Sequence, residues 1–172
     1  MTLLRIEPIA GFTPTIGRLV CMLTYARQTT LAAVEGLNQE ALDHHHDRSS
    51  NSIGALLAHA VAVERVYQAL TFEAREPSAK EIVEWKAALD LGELGRRALT
   101  GRTLDSYVRE MAEVRASTLA ALASREDAWL EHPLTTAPAL NAHWAWFHVA
   151  EDEINHRGQI RWLRSRLPAG QQ

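Results

Sequence analysis

A chain with one cysteine cannot close a disulfide on itself, and Cys21 stands alone among 172 residues. It sits between Leu19, Val20, Met22 and Leu23 on a segment of helical period, where packing explains it. Long hydrophobic runs are also missing. The richest apolar stretch, Ile53 to Val63, contains His59 and is too short to span a bilayer. No early stretch combines a basic region, an apolar core and a small-residue cleavage site, so a soluble cytoplasmic protein is expected, with no membrane partner. Charge of one sign is scarce too, at a formal net of -3. Arg157, Arg161, Arg164 and Arg166 make the C-terminal end locally basic, but the chain as a whole has no footprint for phosphate backbones, and no nucleic-acid partner is expected. With 47% hydrophobic residues the chain can bury a full core, and a single domain over residues 1–172 is expected.

No segment shows the sustained alternation of a strand, whereas four long segments repeat apolar residues with the helical period. The first takes Thr13 as N-cap and Pro14 as its first residue, runs through Ile16, Leu19, Val20, Leu23, Leu31 and Val34, and ends at Gly36. The second opens at Ser50 or Asn51 and carries Ile53, Leu56, Leu57, Ala60, Val63, Tyr67 and Leu70. Thr103 caps the third, whose stripe includes Tyr107, Met111, Val114, Thr118 and Leu122. The fourth begins near Asn141 and reaches about Leu167, where Pro168 and Gly170 stop it. Between the second and third, Ser78-x-x-Glu81 reads as the capping box of a short helix ending near Leu91, expected to cross outside the others. The connections from about Phe72 to Arg102 and from Ser124 to Leu140 are long. The expected fold is all-α: a four-helix bundle with long crossover connections and one short additional helix.

On the fourth segment His148, Asp152 and His156 fall four residues apart. Successive steps of four drift only about 40° round a helix, so the three side chains share one stripe. Imidazole and carboxylate at such spacing can bind one divalent ion. They can equally close a hydrogen-bonded network or an ordinary ion pair with Asn155 and Gln159 beside them. Glu153, Arg157, Arg161 and Arg164, with Trp146 and Ala150, occupy another arc, which reads as the solvent side and turns the polar stripe inward. A buried row of imidazoles and a carboxylate needs a compensating partner. His59, at the edge of the second segment's apolar stripe, can reach the same interior. Two imidazoles and a carboxylate would leave coordination positions open to water or substrate.

The run Asn51-Ser52-Ile53-Gly54-Ala55-Leu56-Leu57-Ala58-His59, then Glu64, and later His148 and Asp152 through His156-Arg157-Gly158-Gln159-Ile160, resembles the DinB/YfiT-like superfamily of metal-binding four-helix bundles. The likeness extends over most of the chain in helix order and lengths. It implies a commonly homodimeric bundle whose divalent metal is held by His59, Asp152 and His156. Histidine at all three positions is common there, so Asp152 is a departure, although some branches carry a carboxylate. A carboxylate hardens the site: zinc or nickel stand first, manganese or iron as alternatives. His148 is read as a further ligand or, with Asn155 and Gln159, as a residue that orients the ligands. Relatives with known activities use low-molecular-weight thiols such as mycothiol or bacillithiol. The resemblance therefore implies a metal-dependent thiol S-transferase acting on a small electrophile. The same ion can activate water for hydrolysis. The alternative from another class is a stress-associated metal- or partner-binding bundle without catalysis.

Two further features complete the reading. The run His44-His45-His46-Asp47 fans its side chains in different directions and reads as a solvated connection, not a second metal site. Phe147, Ile154 and Trp162, with Gly158 beside them, form an apolar arc on the fourth segment. A homodimer through this arc is expected, the alternative being burial under the crossover that carries Trp85 and Leu89.

Overall fold

The computed structural model describes residues 5–168. Gly170, expected to help end the last helix, lies outside the described residues. The chain is all-α. Its long helices are α1 (Pro14–Val34), α3 (Ile53–Thr71), α6 (Leu104–Ala123) and α7 (Ala142–Arg164), separated by α2 (Gln39–Asp43), α4 (Ala79–Asp90) and α5 (Gly92–Ala98), with a 3₁₀ turn at Asp127–Glu131. The single short extra helix expected from sequence is thus corrected to three and the 3₁₀ turn. Both α2 and α5 are too short to show a period. Asn38 starts α2 by accepting from the Ala41 amide, and Leu91, at φ +53°, breaks α4 from α5.

Local chemistry sets the helix ends. Pro14 opens α1 and Thr13 precedes it in extended conformation, yet the Thr13 hydroxyl does not cap its own helix. It donates to Asp127, whose carboxylate also accepts from the Thr15 and Ile16 amides, placing a negative charge from another segment on the α1 N-terminus. Those bonds hold the Asp127 carboxyl far below the usual range. Past the other end of α1, Gly36 takes φ +79°, a left-handed turn that glycine makes without strain. Ser52 caps α3, one or two residues later than expected, and Ser78 with Glu81 forms the anticipated capping box of α4. Thr103 and Asn141 cap α6 and α7.

α7 packs against α1 and α3, α3 also against α6, and α6 against α1. One half of the core joins Ile53, Leu56, Leu57, Tyr107, Met111, Ile160 and Leu163; the other joins Ile16, Leu19, Leu23, Leu122, Trp146 and Val149. Each such side chain contributes about 1.5–3 kcal/mol by leaving water. At Gly54, α3 passes so close to Tyr107 and the Leu42 carbonyl that a Cβ would lie 2.8 Å from the phenol oxygen. α4 packs against α3 and buries Trp85 and Ala88 against the first half of the core, closing one side of α3.

The expected solvent side of α7 is corrected as well. Trp146, Ala150 and Glu153 are buried, whereas Asn155 and Gln159, on the stripe expected to face inward, are exposed. Glu153 is tolerated inside because it pairs with Arg27 at 2.8 Å and Arg115 at 3.2 Å. Arg157 lies over the Tyr25 ring and donates to Thr29, and Arg164 donates to the Ala33 carbonyl, so both lean onto α1.

Candidate metal centre

α3 and α7 pack side by side, and their contact brings His59 against Asp152 and His156. The His59 Nε2 lies 3.6 Å from Asp152 Oδ2, and the His156 Nε2 lies 3.4 Å from Asp152 Oδ1. The two imidazoles meet edge to face with centroids 4.6 Å apart. These separations are long for hydrogen bonds. They suit atoms sharing an ion, because two ligands each about 2.1 Å from a tetrahedral centre stand about 3.4 Å apart. One donor atom from each residue falls within 4.8 Å of the other two, and this is the only such set of three among the described residues.

Two further observations fit a cation. His59 Nδ1 lies 2.8 Å from the Ala88 carbonyl at the end of α4. A carbonyl can only accept, so Nδ1 carries a proton, and once the ring is neutral its lone pair lies on Nε2, the atom that faces Asp152, which is the arrangement in which a histidine ligates. Asp152 Oδ2 and His156 Nδ1 are shut away from solvent without any hydrogen-bond partner. A buried carboxylate oxygen left in that state is costly, and a divalent ion would satisfy it.

Charge within the cluster is tightly coupled. Burial pushes the Asp152 carboxyl up, but the imidazoles of His156 and His59 outweigh it and hold the group well below the usual carboxylate range. Burial pushes His59 down, and the Asp152 carboxylate with the Ala88 carbonyl more than reverses this, leaving it raised. Acid therefore sets protons in competition with any cation for the same imidazoles. The three side chains are 13–16% exposed, which leaves a path from solvent.

The other expected residues are more dispersed. His148, a turn before Asp152, bonds Glu151 at 3.0 Å, stacks on Trp144 and meets Tyr67 edge-on. Asn155 donates to Glu151 from the exposed side of α7, and Gln159 faces a surface cleft. His44, His45 and His46 lie on the link between α2 and α3, where His46 packs edge-on against Trp162. The α4 crossover leaves the apolar arc of α7 uncovered: Phe147, Ile154 and Trp162 are 49, 36 and 45% exposed.

Sequence reasoning missed a second cluster. Arg27 of α1, Glu64 of α3, Arg115 of α6 and Glu153 of α7 form a buried tetrad of alternating charge. Thr118 donates to Glu64 at 2.6 Å and accepts from Gln68. Arg27 and Arg115 also reach the Met111 and Leu23 carbonyls. Burial raises the Glu64 pKa, but Arg115 and Arg27 overcome it and keep the carboxylate ionised below its ordinary range. The signal was present: each member follows a buried apolar residue by four, namely Leu23, Ala60, Met111 and Val149.

A family model described as mycothiol-S-transferase matches residues 18–169, nearly the whole chain. The chain belongs to the mycothiol-S-transferase family. The family is part of the DinB/YfiT-like metal-binding superfamily, the group that the residues around His59 and His156 resemble. No curated protein matches the chain. The match includes all three residues of the candidate centre and all four of the charged tetrad. Among the described residues of this family member, no helix is long and apolar enough to cross a membrane.

Proposed function

We propose that the chain is a metal-dependent thiol S-transferase that joins a low-molecular-weight thiol to a small electrophile, with His59, Asp152 and His156 as the ligands. The observation that carries this reading is the convergence of the three on one point, together with the orphaned Asp152 oxygen. The family match supports the thiol as cosubstrate. The overall arrangement in this reading is the superfamily's four-helix bundle. Zinc or nickel suits two imidazoles and a carboxylate best, with manganese or iron as the harder alternatives.

A divalent ion in this position supplies positive charge that lowers a thiol's pKa and keeps it as thiolate at neutral pH. The chain does the rest. Ala88 fixes the His59 tautomer through its carbonyl, Asp152 brings the negative charge that offsets the cation, and α4 covers one side so that reactants enter from the other. With three protein ligands the coordination sphere stays incomplete, and the partial exposure of all three supports catalysis over a closed structural site. A homodimer through Phe147 and Ile154 goes with this reading, because that arc of α7 is left bare by its own chain.

The test is to load the purified protein with metal and follow consumption of mycothiol in the presence of an electrophile such as monobromobimane. Turnover should require the ion and be lost in Asp152→Ala. Thiol loss at the same rate with and without metal would remove the transferase reading.

A further inference from the structure

His148 stands on the α3–α7 seam beside the candidate centre and is not one of its three ligands. Ring contacts fix its level. His59 of α3 meets His156 of α7 with centroids 4.6 Å apart, and Tyr67 of α3 meets His148 of α7 at 5.8 Å. Eight residues forward on α3 thus correspond to eight residues back on α7, so the two helices run antiparallel along this seam. Asp152 comes midway, about 6 Å along the axis from His148, and side chains four apart on a helix are neighbours.

Three contacts hold the imidazole. Trp144 stacks on it with centroids 4.9 Å apart, Tyr67 meets it edge to face, and its Nδ1 lies 3.0 Å from Glu151 Oε2. Glu151 is held in turn, since Asn155 donates to its other oxygen. A carboxylate accepts, so Nδ1 carries a proton, and once the ring is neutral its lone pair lies on Nε2, on the edge turned away from Glu151. Nε2 has no hydrogen-bond partner among the described residues. Stability does not explain the pairing: the His148 and Glu151 side chains are 33 and 41% exposed, and an ion pair so open to water contributes little. An imidazole tied to a carboxylate through one nitrogen and open at the other is the arrangement of a general base.

Thiol transfer needs such a group. A thiol that becomes a thiolate gives up a proton, and the three ligands cannot take it. His59, Asp152 and His156 would each give a lone pair to the ion, and His59 Nδ1 already carries its proton against the Ala88 carbonyl. Tyr67 cannot take it either, because burial, with the Asp152 carboxylate, pushes its pKa up and keeps the phenol protonated. We propose that His148 is the general base of the transfer, with Glu151 and Trp144 as the residues that position it. The S–H bond breaks, the proton passes to His148 Nε2 and the electron pair stays on sulfur. The sulfur then forms a bond to carbon of the electrophile, whose leaving group departs with the pair of the broken bond, and Nε2 returns its proton to that group or to solvent. This rests on the thiol-transfer reading of the adjoining centre.

The deciding experiment follows the proton and needs no turnover. Calorimetric titration of mycothiol into zinc-loaded protein, repeated in buffers of different ionisation enthalpy, counts the protons given to the buffer on binding. The wild type should retain the thiol proton, and His148→Gln should release at least half a proton more per site. Equal release by the two proteins would overturn the assignment while leaving the thiol reading in place. Mycothiol that fails to bind the loaded wild type would remove that reading and the base with it, so the two failures are told apart. Zinc content should be the same in both proteins; its loss from His148→Gln would make His148 a ligand and overturn its role as base. In turnover, kcat/KM for mycothiol at neutral pH should fall at least tenfold in His148→Gln, chiefly in kcat. It should hold within twofold for 2-nitro-5-thiobenzoate, a thiol already ionised at that pH. An equal fall for both thiols would mark a merely structural role and refute the proposal.

Discussion

Replacing Arg115 with methionine removes one guanidinium of the buried tetrad while keeping most of the side chain's volume. The guanidinium touches Glu64 twice, at 2.7 and 3.1 Å, Glu153 at 3.2 Å and the Leu23 carbonyl at 2.7 Å. Without it, two buried carboxylates share Arg27 alone, and the cluster passes from neutral to one net negative charge. Breaking a buried pair from one side costs about 3–5 kcal/mol. For a domain of this size that is a fall in Tm of about 6–20 °C. Urea unfolding followed by far-UV circular dichroism measures the loss. Removing Glu64 as well, in Arg115→Met with Glu64→Met, returns the cluster to neutrality and should recover part of the stability, because both desolvation costs vanish together. A loss below about 1 kcal/mol in the single variant, or a double variant weaker than the sum of the two singles, would refute the claim that these charges act as one coupled unit.

Four other outcomes follow from the same contacts. Elemental analysis of untagged protein should give stoichiometric metal in the wild type and in His45→Ala but not in His156→Ala; full occupancy in His156→Ala would contradict the ligand assignment. Glu64 is held ionised below its ordinary range by Arg115 and Arg27, so the folded chain binds fewer protons than the unfolded one in moderate acid. Its contribution is complete above the unfolded pKa near about 4.3 and is lost as pH falls toward the lower folded value; Glu64→Gln should flatten the acid side of the stability profile, and an unchanged slope would argue against it. In the proposed homodimer, Ile154→Asp should shift the protein toward monomer in sedimentation velocity without altering metal content, and a wild type that sediments as a monomer would remove that proposal. Gly54→Ala should lose about 1–2 kcal/mol despite alanine's better helix propensity, since the new methyl meets Tyr107 and the Leu42 backbone.

What could be read from sequence was what short-range chemistry encodes. Pro14, the Ser78–Glu81 box, Thr103 and Asn141 act within one turn of their own position, and the helices start where those residues say. The spacing of Asp152 and His156 is equally local. Their meeting with His59 is not, and it became legible only because the residues around both parts resemble one superfamily. The arc of α7 carrying Glu153 was misread because a charged residue usually marks solvent. Its counter-charges, Arg27 and Arg115, come from two other helices, and no pattern within α7 announces them. The burial beneath α4 was hidden for a similar reason: Trp85 and Ala88 are too few to make a periodic stripe on a helix of 12 residues.

The partner that orients His59 is a main-chain oxygen, not a side chain. Any residue placed at position 88 would present the same acceptor, so substitution there is limited by room and not by hydrogen-bonding chemistry. Orientation of the imidazole depends instead on where the crossover sits. A displacement of that segment would turn the ring without substituting any of the three candidate ligands.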